Sequence, residues 1–440
     1  MNKKREKITD EITIPNRLSE KIERNINNLN SLEKEIKKSF SKNTSELFNI
    51  IMAGGISLGT SDIHIEPKED EAKMRIRVDG VLQDVVKFNK KIYNDILSRI
   101  KLISGVKLNI ENKPQDGRFT IIYPGEDNKG YSIEIRMSIL PSEYGGSVVM
   151  RILDPRNLIT IDKLGLRNDL LEIFKREIKR PNGMIIVTGP TGSGKTTSLY
   201  AFLKHIRNPG IKIITIEDPI EYHLDGISQT EAAPDKGYTF ANGLRAIVRQ
   251  DPDAILVGEI RDLETASIGL QAALTGHTVF STLHTNDAAG AIPRLEALGE
   301  KPVNIAPAVN VIIAQRLVRK LCDRCKTETT LEELNLFRLI NQELDNVSKE
   351  KKPFYDKKTE IYKAEGCKSC NFTGYKGRLG IFEALVLNDE IENLIFSNPS
   401  TSEIRKKAIK EGMITIKQDG IIKLLKGETT AEEIERVVGL

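Results

Sequence analysis

Four short, largely apolar runs, at residues 184–188, 212–216, 254–257 and 278–282, are separated by stretches of helical spacing. A strand buried on both faces has no polar side to display, so runs of this kind predict a parallel sheet covered by helices. Earlier in the chain, strand-like segments at 62–65, 73–78, 81–87, 118–123, 132–138 and 147–152 accompany an apolar helical stretch at 47–53 and a helix over 91–104. That mixture predicts a small α+β sheet domain. The residues before it are rich in Lys, Glu, Asn and Ser, with apolar spacing weak enough for either a loose helix or a disordered arm. The pattern divides into a variable basic arm (1–44), the small domain (45–153), a linker with Pro155 and Asn157 (154–161) and an α/β region (162–440). Within that region, 320–375 is a cysteine-bearing insert and 385–440 holds several short helices.

At 440 residues and 39% hydrophobic composition, the chain is long enough for two or three domains. Its formal net charge of +4 is matched by the first 45 residues alone, which hold eleven Lys/Arg and seven Asp/Glu. The remainder is balanced and lacks the global basic field of a nucleic-acid binder, so no direct nucleic-acid partner is expected. No run approaches the ~18 continuous apolar residues of a membrane span, and the N-terminal stretch has no apolar signal core. The expectation is a cytosolic chain, in which four cysteines in two Cys-x-x-Cys pairs point to a metal site rather than to disulfides.

Directly after the run at 184–188 stands Gly189-Pro190-Thr191-Gly192-Ser193-Gly194-Lys195-Thr196, followed by Thr197. Its glycines let backbone N–H groups turn inward around a β-phosphate, and Lys195 reaches the β and γ oxygens. The Thr196 hydroxyl is placed for Mg²⁺ at the start of a helix whose positive end also favours phosphate. These features predict a nucleoside triphosphate hydrolase. The run at 254–257 leads to Glu259, an acid at a strand end beside the loop and the candidate general base. Glu217, Asp218 and Glu221 occupy another strand end, stopped by Pro219 at the sheet's rim where substrate phosphates and metal would lie. A plain turn fits that local chemistry equally well. His277 and His284 bracket the strand at 278–283 and are the candidate phosphate sensors, with a packed structural imidazole as the alternative. Asp62, His64 and Glu66 share a strand face, but three such ligands lie too linearly for a compact coordination shell, and hydrogen bonding is expected of them. Cys322, Cys325, Cys367 and Cys370 supply four thiols in two chelating turns, the arrangement of a closed structural zinc site.

Taken together, the phosphate loop and the segments 216–222, 244–253, 258–262 and 276–286 resemble the type II secretion and type IV pilus assembly ATPases, over about residues 49–440. The resemblance implies a RecA-like P-loop ATPase core preceded by a PAS-like α+β domain. It makes Gly189 to Thr196 the Walker A motif, Glu217, Asp218 and Glu221 the Asp box, Glu259 the end of Walker B, and His277 to His284 the His box. It also implies ATP as substrate and a homo-hexameric ring in which the first domain of one subunit closes over nucleotide held by the second domain. The implied partner is an inner-membrane platform protein, which would bring a cytoplasmic chain to the inner face of the membrane. Arginines of the first domain supply the closing charge in such a ring. Arg77, Arg99, Arg118 and Arg136 are the candidates, with Arg75 beside them, because guanidinium forks neutralise charge on a transferring phosphoryl group. The cysteine module implies assembly rather than retraction. A DNA-translocating ring is disfavoured by the charge balance, and a non-hydrolysing scaffold by the presence of both Lys195 and Glu259.

Overall fold

A computed structural model describes residues 11–125 and 130–440. Two compact units are resolved: one runs to Asn157 and includes Glu365–Lys376, the other comprises Leu158–Ala364 and Gly377–Leu440. The segment 365–376 thus groups by contact with the first unit, although the insert was expected to belong wholly with the α/β region.

The first unit is built on seven strands: β1 (Glu11–Thr13), β2 (Asp62–Pro67), β3 (Glu71–Val78), β4 (Val81–Asn89), β5 (Gln115–Tyr123), β6 (Tyr131–Ser142) and β7 (Gly145–Leu153). They form one sheet in the order β1-β5-β6-β7-β2-β3-β4, antiparallel except where β1 joins β5. Burial alternates along β3 and through the middle of β6. Ala72, Met74, Ile76 and Val78 of β3 and Ile133, Ile135, Met137 and Ile139 of β6 are buried, while Arg75, Arg77, Glu134 and Arg136 between them are only half-buried. Such alternation is what a sheet with one packed face and one polar face requires. The packed face shares its core with α1 (Asn16–Asn25), α2 (Leu29–Lys38), α3 (Thr44–Ser57) and α4 (Lys90–Ile103). Phe48, Ile51 and Met52 of α3 are wholly enclosed, and burying each large apolar side chain stabilises the unit by about 1.5–3 kcal/mol.

The arm differs from its expected loose or disordered state. Over residues 11–43 it forms β1, α1 and α2, and Ile12, Ile14, Ile22, Ile26, Leu32 and Ile36 join the same core. A narrow apolar stripe on a polar helix is a weak signal alone, but suffices where a preformed surface receives it. Residues 1–10 of the arm lie outside the described residues. The beginning of the expected linker is also anchored: Arg156 pairs with Asp154 through two nitrogens and lies 4.8 Å from the ring centre of Tyr131.

In the second unit the strands are β8 (Gly183–Thr188), β9 (Ile213–Glu217), β10 (Ser228–Glu231), β11 (Ala254–Val257), β12 (Thr278–Leu283) and β13 (Val309–Leu321), followed by β14 (Lys326–Thr330), β15 (Glu360–Ala364) and β16 (Tyr375–Val386). The sheet order is β10-β9-β11-β12-β8-β13-β16, and every pairing from β10 to β13 is parallel. β14 and β15 form a separate antiparallel pair. Helices α5 (Asn168–Ile178), α6 (Lys195–Ile206), α7 (Phe240–Val248), α8 (Leu263–Leu274), α9 (Ala291–Leu298) and the single turn α10 (Pro302–Ile305) accompany the sheet. All residues of β8, β9, β11 and β12 are buried, as their apolar runs predict. Met184 and Ile186 of β8 enter one core with Leu244 and Leu270, while Ile185 and Val187 enter the opposite core with Phe174 and Phe202. The insert contributes α11 (Phe337–Glu343), and the C-terminal part α12 (Asp389–Phe396), α13 (Thr401–Lys410), α14 (Ile416–Leu425) and α15 (Ala431–Val438). Because the central strands are parallel, the residues that follow Thr188, Glu217, Val257 and Leu283 all emerge along one edge of the sheet.

Candidate nucleotide site and thiol cluster

On that edge the phosphate loop joins β8 to α6. Gly189 has φ 150°, and a Cβ there would come within 2.6 Å of the Gln315 carbonyl oxygen, so no other residue fits. Gly194 caps α6 at φ 87° without a side-chain hydrogen bond, leaving the first N–H groups of the helix to a ligand. Ser193 is buried, and its hydroxyl has no partner among the described residues. The Lys195 ammonium donates to the carbonyls of Gly189 at 2.7 Å and Pro190 at 3.2 Å. Burial pulls its pKa below the ordinary lysine value, opposed by Glu259 and assisted by Arg316. Thr196 and Thr197 stand half-buried in the first turn of α6. An open helix end, an orphaned hydroxyl and a half-buried cation fit a triphosphate, and the Thr196 hydroxyl fits its accompanying Mg²⁺.

Glu259 follows β11, two strands from β8, and its side chain is 13% exposed. Oε1 lies 2.6 Å from Arg261, and Oε2 lies 3.5 Å from Nε2 of His284. His284 follows β12, the strand between β11 and β8, so it rises between the acid and the loop. Burial lowers the His284 pKa, Lys195 lowers it further, and Glu259 acts the other way. The charges of these three groups therefore act on one another, as expected of residues that handle phosphate and water together.

Two expected site residues are placed differently. Glu217 is not presented at the rim but buried: Tyr200 of α6 donates to Oε2, and Thr215, at 2.5 Å, and Gln229, at 3.2 Å, donate to Oε1. A carboxylate with both oxygens engaged holds structure and is not positioned to take a proton. Asp218, beyond the strand end, is exposed. His277 enters β12 from the far edge, with Nδ1 3.0 Å from the Ala272 carbonyl. Roughly 20 Å of strand separates it from the phosphate edge, so of the two imidazoles His284 is the one near the loop.

On the polar face of the first sheet, cross-strand pairing aligns five charged residues in one row. Arg118 faces Arg136, Arg136 faces Arg151, and Arg151 and Arg77 flank Asp62. Asp62 is buried and shared, 3.1 Å from Arg151 and 3.4 Å from Arg77. Arg136 lies 3.2 Å from Glu134, and Arg75 pairs with Glu66. Arg118 is exposed and in no ion pair among the described residues, which makes it the arginine of the row best able to receive an anion. Arg99 lies on α4, in the helix expected over 91–104 and outside the row, with Nε buried and unpartnered among the described residues. Sequence reasoning missed Arg151, whose place depends on pairing with a strand 89 residues away. It also missed Arg316 and Gln315 of β13, which border the phosphate loop.

The sulfurs of Cys322, Cys325, Cys367 and Cys370 all lie within 4.8 Å of one another. Sγ of Cys367 and Cys370 are 3.8 Å apart, close to the ~3.8 Å edge of a tetrahedron with metal–sulfur bonds near 2.3 Å. The N–H groups of Cys367 and Gly374 donate to the Cys370 sulfur at 3.1 and 3.3 Å. The cluster is suited to a metal ion. Asp62, His64 and Glu66 form no comparable group among the described residues.

The sequence profile of the family described as "Type II/IV secretion system protein" matches residues 37–436. The "Type II secretion system ATPase E" of Vibrio cholerae is 43% identical over 396 residues, covering 89% of this chain and 75% of that protein. The "Type IV pilus assembly ATPase PilB" of Thermus thermophilus is 43% identical over 375 residues, covering 85% of this chain but 40% of its own length. A crystal structure of the pilus retraction motor PilT with bound ADP superposes with a TM-score of 0.56 at 27% identity, covering 88% of this chain and 95% of that one.

Proposed function

The chain belongs to the type II/IV secretion system protein family, and we propose that its nucleotide site is completed by arginines from the first unit of a neighbouring copy. It is an ATP-driven motor ATPase of the pilus-assembly and secretion type. ATP and water give ADP and phosphate. The observation that carries the proposed chemistry is the convergence of Lys195, Glu259 and His284 at the edge where α6 opens.

Lys195 leaves the loop carbonyls to bind the β and γ oxygens, and the N–H groups at the start of α6 bind the β-phosphate. Glu259 accepts the proton of the attacking water. Arg261 orients one of its oxygens, and neutral His284 leaves the other without a competing charge. Thr196 would hold Mg²⁺, which neutralises charge on the phosphate oxygens. Negative charge developing on the γ-phosphoryl group calls for further cations. The row containing Arg118, Arg136 and Arg151 carries a surplus of them on the exposed face of a stiff sheet. In a homo-hexameric ring this makes turnover depend on closure between subunits, which is how hydrolysis becomes movement. The four thiolates would hold zinc as a structural clasp. The first unit takes the place of the PAS-like domain. The ring would act at the inner face of the membrane by pushing on a platform protein, driving a pilus or pseudopilus.

The test is phosphate release by the full chain beside binding of a fluorescent ATP analogue. Glu259→Gln is expected to keep binding and lose turnover by about 10²–10³-fold, and Lys195→Ala to lose both. Turnover by Glu259→Gln at the parent rate would remove it as the base.

A further inference from the structure

On β13, Ala314 pairs with Thr188 of β8, so the next two residues, Gln315 and Arg316, run beside the phosphate loop. Gln315 is buried and accepts a hydrogen bond from Ser198 of α6 at 2.8 Å, while its amide nitrogen lies 2.8 Å from where a Gly194 Cβ would stand. It fastens the loop to the helix. Arg316 has a different character. Nη1 donates to the Gln315 carbonyl at 3.0 Å and lies 3.0 Å from a Cβ position on Gly189, and Nη2 donates to the Asn286 carbonyl at 2.7 Å.

Both contacts are to neutral oxygens. The carboxylates that influence Arg316, Glu383 and Asp287, are engaged elsewhere: Asp287 pairs with Arg405, and Glu383 accepts from the N–H groups of Ala288 at 2.7 Å and Ile416 at 3.2 Å. Burial lowers the pKa of Arg316 from its ordinary value, and its charge also bears on Lys195. Two half-buried cations on one glycine-rich loop require an anion to offset their lost hydration.

We propose that Arg316 binds the γ-phosphate of ATP within its own subunit and, through the Asn286 carbonyl, couples phosphate occupancy to the segment that follows His284. The proposal rests on the ATPase reading and adds a residue to it. Thr188 of β8 holds Thr285, Arg316 holds Asn286, Arg405 of α13 holds Asp287, and Glu383 of β16 holds Ala288. Glu383 also receives the N–H of Ile416, the first residue of α14. A guanidinium drawn from Asn286 to phosphate releases the Asn286 hold and leaves the segment tied to β8, to α13 and, through Glu383 of β16, to the start of α14. Loss of the γ-phosphate restores it.

The experiment uses the full chain with Arg316→Gln and Arg316→Lys. Mg²⁺-dependent affinities for fluorescent ATP and ADP analogues are measured with kcat, KM and the melting temperature. Arg316→Gln is expected to weaken ATP binding by about tenfold to a hundredfold and ADP binding by no more than about threefold, with Arg316→Lys recovering part of the difference at an unchanged melting temperature. Equal losses for ATP and ADP, or none, would overturn the proposal. Should Arg316→Gln fail to fold, Arg316→Lys carries the test through the same ATP-to-ADP ratio, with a loss of about threefold or more expected. A parent chain that binds neither nucleotide refutes the ATPase reading itself, whereas normal parent binding with an unchanged ratio in the variants refutes only the role of Arg316.

Discussion

Nε2 of His284 stands 3.5 Å from Oε2 of Glu259, close enough that the charge on one decides the availability of the other. Burial, then Lys195, holds the His284 pKa below its ordinary 6.5, so near neutral pH the ring is uncharged and Glu259 is unclaimed on that side. Acidification protonates the ring and draws the carboxylate into an ion pair. The predicted result is an acid limb in kcat at a midpoint below 6.5, moved to lower pH in His284→Asn. Stability follows the same sign. The folded state binds fewer protons than the unfolded chain, so this contribution is complete above the unfolded pKa and is lost as pH falls through the folded one. An acid limb unchanged in His284→Asn would separate this pair from catalysis.

Glu217 owes its orientation to Tyr200, whose buried hydroxyl is kept protonated by burial and by the carboxylate beside it. Tyr200→Phe leaves Thr215 and Gln229 as the remaining donors. Denaturant unfolding should show a loss of about 1–3 kcal/mol, and parent-like stability would mean that the hydroxyl does not hold Glu217.

Arg167 approaches Asp419 at 2.6 Å, Lys423 lies 3.6 Å from the same carboxylate, and all three side chains are buried. Asp419→Ala strands the Lys423 ammonium and leaves Arg167 with Asp169 as its one acid, and should cost about 3–5 kcal/mol. Arg167→Met leaves Lys423 with its acid and should cost less. The reverse order in equilibrium unfolding would contradict this account of the triad.

The thiol cluster predicts one zinc per purified chain by elemental analysis. Cys367→Ser should lower that content and the melting temperature together, because binding energy of a structural metal is folding energy. A metal-free parent whose four cysteines all react as free thiols would rule the clasp out.

The sequence was most informative where one local rule decides the outcome. β8, β9, β11 and β12 are buried on both sides and leave an apolar signature, and the phosphate loop and paired cysteines carry their chemistry in their spacing. Legibility failed where the partner is remote. Arg151 meets Asp62 only through sheet register, Arg316 reaches the phosphate loop because β13 lies beside β8, and Glu217 is enclosed by donors from α6 and β10. The same limit explains the arm: Ile22, Ile26, Leu32 and Ile36 make a helix stripe too thin to register until α3 and the sheet supply the opposing surface.

The central claim is that Glu259 of one subunit works with an arginine of another, and mixing two inactive variants tests it most directly. Arg118→Ala lacks the incoming cation and Glu259→Gln lacks the base, so each alone should hydrolyse ATP at a small fraction of the parent rate while still binding it. Co-assembled, they juxtapose an intact Arg118 with an intact Glu259 at some interfaces, and phosphate release should rise well above the sum of the separate variants. Activity of the mixture no greater than that sum, or full activity of Arg118→Ala alone, would contradict a site completed between subunits by this arginine.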